Sequence, residues 1–184
     1  MIYQAKEFRL NGGRVCTLRS AAVSDAPELL DFLRAVNEET YFLLRYPEEV
    51  TYTQEEEETI IQEWKEHPNK LLLLAVIDGC IAGNCGITPA AGLLKTQHRG
   101  SFGISVKKAF WTLGIGRLLM SEVLAFAKNC GMEQVELGVF SDNTRALGLY
   151  RQFGFTEWGR IPRAYKLKDG TYRDEIHMGL PLIS

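Results

Sequence analysis

The sequence predicts a mixed α and β (α+β) fold: a twisted, mostly antiparallel sheet of about seven strands flanked by about four helices. Three observations predict it. Short alternating or continuous apolar runs recur along the chain. Two pairs of them are joined by Asp-Gly dipeptides, Asp78-Gly79 and Asp169-Gly170, a strong hairpin signal. Helical segments interrupt the strands in the order β-α-α-β-β-β-α-β-α-β-β, which lacks the regular alternation of a parallel sheet.

Each element has its own local reason. Residues 14–19 (RVCTLR) alternate and read as the first strand. Ser24 opens a helix to about Glu38, with Pro27 tolerated in its first turn. Thr53 and Glu56 fit a capping box, so a second helix runs to about His67, before Pro68. The acidic run 55–58 sits in its first turn, where the helix dipole favours anions. Residues 71–77 are continuously apolar, and 81–88 return antiparallel across the Asp78-Gly79 turn. Residues 101–106 form another strand. A long helix follows from Gly114 to about Asn129, closed by Gly131; Ile115, Leu118, Leu119, Val123, Phe126 and Ala127 share one face. Val135, Leu137 and Val139 mark a strand, residues 142–153 a short helix, and residues 156–168 and 171–180 a closing hairpin.

The chain has 184 residues, 46% hydrophobic and 24% charged, which fits one domain over residues 1–184. No apolar run approaches the ~20 residues of a membrane span, and residues 1–9 lack the apolar core of a secretion signal. A cytoplasmic protein with no membrane partner is expected. Cys16, Cys80, Cys85 and Cys130 form no C-x-x-C pair, and His67, His98 and His177 are scattered, so no metal site is expected. A net charge of -2 argues against a nucleic-acid partner. Residues 1–100 hold 10 Lys+Arg against 15 Asp+Glu, and residues 101–184 hold 11 against 8. The second stretch therefore suits an anionic ligand better than the first.

The segment VKKAFWTLGIGR, residues 106–117, runs from strand through loop to helix start. Gly114 and Gly116 let backbone come close to a ligand. The first-turn N–H groups and the helix dipole favour negative charge there, and Lys107, Lys108 and Arg117 flank it. This is a recipe for a pyrophosphate site. A dinucleotide fingerprint fails, because Leu119 replaces its third glycine and Gln134 stands where the acid belongs. A Walker loop is absent. A coenzyme A site and a glycine start made for packing alone both remain open for this segment. In SDNTRALGLYRQFGF, residues 141–155, Asn143, Ala146, Leu147 and Tyr150 share a helical face. One polar, one small and one phenolic residue in line read as a wall facing a ligand. A capping Asn143 and a Tyr150 packed with its hydroxyl outward are the other reading.

GIGRLLM after a strand, followed by NTRALGLYRQFGF, resembles the GNAT superfamily of N-acetyltransferases. The resemblance runs from about Arg14 to Leu180, and DGTYRDEIHM looks like the C-terminal hairpin of bacterial members that acetylate small amines or protein N-termini. Trp111 departs from the Gln or Arg that opens the family's glycine pattern. The resemblance implies a GNAT-like fold and acetyl-CoA as co-substrate, with an amine acceptor. Leu113, Gly114, Ile115, Gly116 and Arg117 would hold the pyrophosphate. The backbone of Ile104, Ser105 and Val106 would pair with the pantetheine arm. Asn143 and Ala146 would line the coenzyme, with Tyr150 near its sulfur. Family habit implies a homodimer. A non-catalytic acyl-CoA-binding sensor on the same fold is the alternative class.

Direct acetyl transfer needs a neutral amine, a stabilised oxyanion and a proton for the departing thiolate. The Val106 N–H is a candidate oxyanion donor. Tyr150 is a candidate acid, since a phenol and a thiolate have similar basicity. Glu39 is the carboxylate assigned to the amine, with Glu38, His98 and water as alternatives for the base. Cys85 needs no nucleophilic role.

Overall fold

The computed structural model describes residues 3–182; the outermost positions of the expected 1–184 domain, and the start of its N-terminal stretch, lie outside them. Eight strands hydrogen-bond in the order β1-β2-β3-β4-β5-β6-β8-β7. They are β1 (Lys6–Arg9), β2 (Val15–Ser20), β3 (Leu71–Ile77), β4 (Cys80–Pro89), β5 (Arg99–Val106), β6 (Gln134–Phe140), β7 (Thr156–Lys166) and β8 (Tyr172–Pro181). The helices are α1 (Ala26–Glu39), α2 (Gln54–Glu66), α3 (Ile115–Asn129) and α4 (Thr144–Gln152). β5 and β6 pair parallel, whereas β1–β2, β2–β3, β3–β4, β6–β8 and β7–β8 are antiparallel. The expected fold class holds, with β1 added. Its four residues KEFR are mostly exposed, so it carries no apolar alternation. Its charges are the usual protection of a sheet edge.

The chain divides into two compact units. The first comprises residues 3–88 with Gly103–Cys130. Its core packs Ala26, Leu29, Phe32 and Val36 of α1 against Ile61 of α2, Leu74 of β3 and Ile81 of β4. Leu71, Leu73, Ala75 and Ile77 are buried as well. They alternate with Leu74 and its neighbours, so β3 is apolar on both faces, and α3 packs against it. The second unit comprises Pro89–Phe102 with residues 131–182. Its core joins Val135, Leu137 and Val139 of β6 to Ile176 and Met178 of β8, all buried.

Local signals set the boundaries. Asp78 and Gly79 have φ of 50° and 80°, the left-handed pair that a two-residue hairpin turn requires. The Thr53 and Glu56 capping box is formed: Thr53 Oγ1 accepts the Glu56 N–H, and Glu56 Oε2 accepts the Thr53 N–H. The helix expected from Ser24 instead begins as a tight turn over Val23–Asp25. Asp25 explains this, because its carboxylate accepts the Ala22 N–H at 2.7 Å and receives the Arg19 guanidinium. Burial pushes the Asp25 carboxyl up, but the Arg19 and Ala22 hydrogen bonds and the Arg19 charge outweigh it, so it lies below the usual range. Among the described residues, no helix is long and apolar enough to cross a membrane.

Candidate functional site

In the first unit, the end of β5 faces two ways. The Lys107 N–H donates to the Ala82 carbonyl of β4 at 2.9 Å. The peptide plane therefore turns the Val106 carbonyl to the opposite edge, where Trp111 Nε1 donates to it at 2.8 Å. In a strand the N–H and C=O of one residue share an edge, so the Val106 N–H also points away from β4. Ile104 follows by the two-residue alternation. Ser105 presents its carbonyl to β4, where a Cβ on Gly83 would meet it at 3.0 Å. Its hydroxyl donates to Asn84 Oδ1 at 2.6 Å. The backbone polar groups of Ile104 and Val106 thus face away from β4, while those of Ser105 are turned to it.

The loop into α3 uses two left-handed residues, Thr112 at φ 68° and Gly114 at φ 91°. Gly114 is the N-cap of α3, and no side chain caps the helix. Nothing lies within 4 Å of the place where its Cβ would stand. The Leu118 N–H reaches the Gly114 carbonyl at 3.1 Å and starts the helical ladder. The N–H groups of Ile115, Gly116 and Arg117 precede that ladder and have no acceptor within the helix. Arg117 is exposed and Leu113 half-buried beside them. Lys107 lies over the Phe32 ring, 5.4 Å from its centroid.

Glu39 ends α1, and its Oε2 accepts the Lys108 N–H at 2.6 Å. One assigned residue is therefore held against the turn that leaves β5. Glu38 is exposed. His98 belongs to the second unit, where its carbonyl accepts the Glu133 and Gln134 N–H groups.

Also in the second unit, Asn143 is the N-cap of α4, with its carboxamide oxygen accepting the Ala146 N–H at 3.1 Å. Ala146 is half-buried. Tyr150 is 7% exposed. Its ring stands edge-on to Phe102, centroids 5.9 Å apart at 86°, and tilts against Phe155. Cys85 is buried, and burial pushes its thiol well above the ordinary range. Cys16 is likewise buried and pushed up to about 11, whereas Cys80 is exposed. A thiol that stays protonated is a poor nucleophile, so Cys16 and Cys85 are inert packing residues. The Trp111–Val106 and Ser105–Asn84 bonds escaped the sequence reading, since an aromatic after a lysine-rich turn and a polar residue inside a strand name no partner.

The acetyltransferase (GNAT) family model matches residues 30–155. The L-amino acid N-acetyltransferase AaaT of Escherichia coli is 31% identical over 120 residues, covering 62% of this chain and 73% of that protein. This chain belongs to the acetyltransferase (GNAT) family. A GNAT acetyltransferase from Streptococcus pneumoniae shares the fold at a TM-score of 0.87 and 32% identity, over 90% of this chain and 99% of that one. The yncA protein of Salmonella typhimurium, solved with its cofactor acetyl-CoA, superposes at a TM-score of 0.81 and 20% identity, over 92% and 95% of the two chains. Acetyl-CoA is the acyl donor of the GNAT family.

As a GNAT chain, this one carries Trp111 at the head of the glycine pattern. Here that position has a structural use. The indole N–H closes the strand-to-helix loop onto the Val106 carbonyl, so the loop is tied to the strand by a side chain and leaves the backbone N–H groups of α3 untouched.

Proposed function

We propose that this chain is an acetyl-CoA-dependent N-acetyltransferase that moves the acetyl group directly onto a primary amine of a small molecule or protein N-terminus. The observation that carries it is the start of α3, where a left-handed Gly114 caps the helix with no side chain and with open space around it. That arrangement suits a pyrophosphate held by backbone N–H groups and the helix dipole. Leu113, Gly114, Ile115, Gly116 and Arg117 are its proposed cradle. Ile104 and Val106 offer backbone groups to the pantetheine arm, with Ser105 between them, and the Val106 N–H meets the thioester oxygen.

For the chemistry, Tyr150 protonates the departing thiolate, and Asn143 and Ala146 line the coenzyme. Glu39 receives the proton of the amine, its other oxygen being docked on Lys108. The name of the Escherichia coli relative makes the α-amino group of a free amino acid the first acceptor to test. Free cysteines accord with a reducing, cytoplasmic setting. A homodimer rests on family habit alone, and light scattering checks it.

The test is calorimetry with acetyl-CoA, followed by release of free coenzyme A with L-amino acids, polyamines and peptide N-termini. Binding to the native state alone raises stability by about 2.7 kcal/mol at a hundredfold excess over Kd. Absence of binding at millimolar acetyl-CoA, with no change in melting temperature, overturns the proposal. Binding without acetylation of any amine leaves the sensor class.

A further inference from the structure

The sheet of the second unit has two unlike faces. Val135, Leu137 and Val139 of β6 share one face with Ile176 and Met178 of β8. Ser101 stands opposite Glu136, so Phe102 falls on that apolar side, where Tyr150 and Phe155 pack against it. The other face carries Glu136, Gly138 and Phe140 from β6. His177 and Glu175 of β8 are register partners of Gly138 and Phe140 and lie on the same face.

Gly138 is exposed, although its neighbours on this face, Glu136 and Phe140, are only 7% and 4% exposed. A Cβ at position 138 would stand 2.6 Å from Glu175 Oε1 and 2.8 Å from its Cδ. The Glu175 carboxylate thus leans across the bare backbone of Gly138. Its Oε2 accepts the Tyr165 hydroxyl, and the Tyr165 ring stacks on Phe140 at 3.9 Å and 15°. Burial, then the Glu175 hydrogen bond and charge, push the Tyr165 phenol far up, so it remains a neutral donor.

The two carboxylates of this face are treated differently. Glu136 is compensated: Arg99 donates to both its oxygens, at 2.6 Å to Oε1. His177 Nε2 lies 3.8 Å from Glu136 Oε2. Glu175 has a neutral phenol, and among the described residues no Lys or Arg pairs with it. Among the described residues, an anion beside an aromatic ring, laid over a bare glycine backbone, is left without a paired cation. A primary ammonium supplies the charge and three donors, and the ring face adds a cation–π term.

We infer that the acceptor amine docks over Gly138, with its ammonium on the Glu175 carboxylate and its carbon chain along the Tyr165 ring. This deepens the acetyltransferase reading and rests on it for the acceptor's role; the docking of a cation is testable without it. Glu175 is a binding group here and not the proton acceptor.

The probe is n-butylammonium chloride, titrated into the full chain while the backbone amide resonances of Gly138 and His177 are followed. Saturable shifts are expected in the wild type. Binding at least tenfold weaker is expected in Glu175→Gln, which keeps an acceptor for Tyr165, and in Gly138→Ala, whose methyl displaces the intact carboxylate. In the kinetic arm, the KM for an amine that the wild type acetylates rises at least tenfold in both variants, with acetyl-CoA affinity unchanged. No saturable shift in the wild type, or an amine KM within twofold of wild type in Glu175→Gln, overturns the inference. A wild type that binds butylammonium at Gly138 but acetylates nothing overturns the functional reading instead.

Discussion

Glu39 Oε2 accepts the Lys108 N–H at 2.6 Å across 69 residues of chain, which fastens the end of α1 to the turn that leaves β5. Two substitutions separate what this carboxylate does. Glu39→Gln keeps an acceptor for Lys108 and removes the proton-accepting group. Turnover should fall in the 10²–10⁴-fold range of general acid–base catalysis, with acetyl-CoA affinity unchanged. Glu39→Ala frees the turn as well, so acetyl-CoA affinity should also weaken. A Gln variant as active as wild type would show that Glu39 only positions the backbone, and steady-state kinetics with calorimetry decide it.

Gly116→Val should abolish acetyl-CoA binding while the fold survives. Position 116 lies in the first turn of α3, outside the left-handed residues, so a branched side chain meets no backbone strain there, and its Cβ tilts toward the helix N-terminus where the free N–H groups lie. Gly114 is the poorer test, because at φ 91° any other residue strains the backbone. The checks are calorimetry for binding and thermal melting for the fold. Wild-type affinity in Gly116→Val would remove the pyrophosphate from this helix.

Tyr150→Phe keeps the ring between Phe102 and Phe155 and should cost no more than about 0.5–1.5 kcal/mol of stability. Turnover should fall about 10²–10⁴-fold, with acetyl-CoA affinity within about tenfold of wild type. Weakened binding with normal turnover at saturation would make Tyr150 a binding residue. Normal behaviour in both would place the proton on water.

The Arg19–Asp25 pair gives the first unit an acid-sensitive contribution to stability. The folded carboxyl lies below its usual range, so the contribution is fully present above the unfolded Asp value of about 3.9. It is lost as pH falls through the lower, folded value. Asp25→Asn should therefore cost about 1–3 kcal/mol at neutral pH, and its deficit should shrink below about pH 4. Urea unfolding across this range checks it. A deficit that stays constant in acid would mean that shape, not charge, is what Asp25 supplies.

Much of the fold was legible because its signals are local. Asp78-Gly79, Thr53 with Glu56, and Gly131 each act within a few residues, and the helix and strand ends follow them closely. β1 was illegible because an edge strand of Lys, Glu and Arg carries no pattern that distinguishes it from a loop. At the site, the glycine start of α3 could be read, since φ and capping are local properties. Glu39 on Lys108 and Glu175 over Gly138 could not. Both depend on register between distant segments, and nothing within either segment encodes it. Asn143 shows the intermediate case: its cap could be read, but the same side chain was also assigned to a ligand, and capping now occupies its oxygen.

The cysteines divide by burial, with consequences at the bench. Cys80 is exposed at the start of β4, while Cys16 and Cys85 have no accessible surface in β2 and β4. A colorimetric thiol reagent meant to count released coenzyme A will find Cys80 at once and the half-buried Cys130 more slowly. The two hidden sulfurs will react only when the first unit opens. Their slow labelling is a built-in clock for that opening, readable without a ligand, a probe or a substitution.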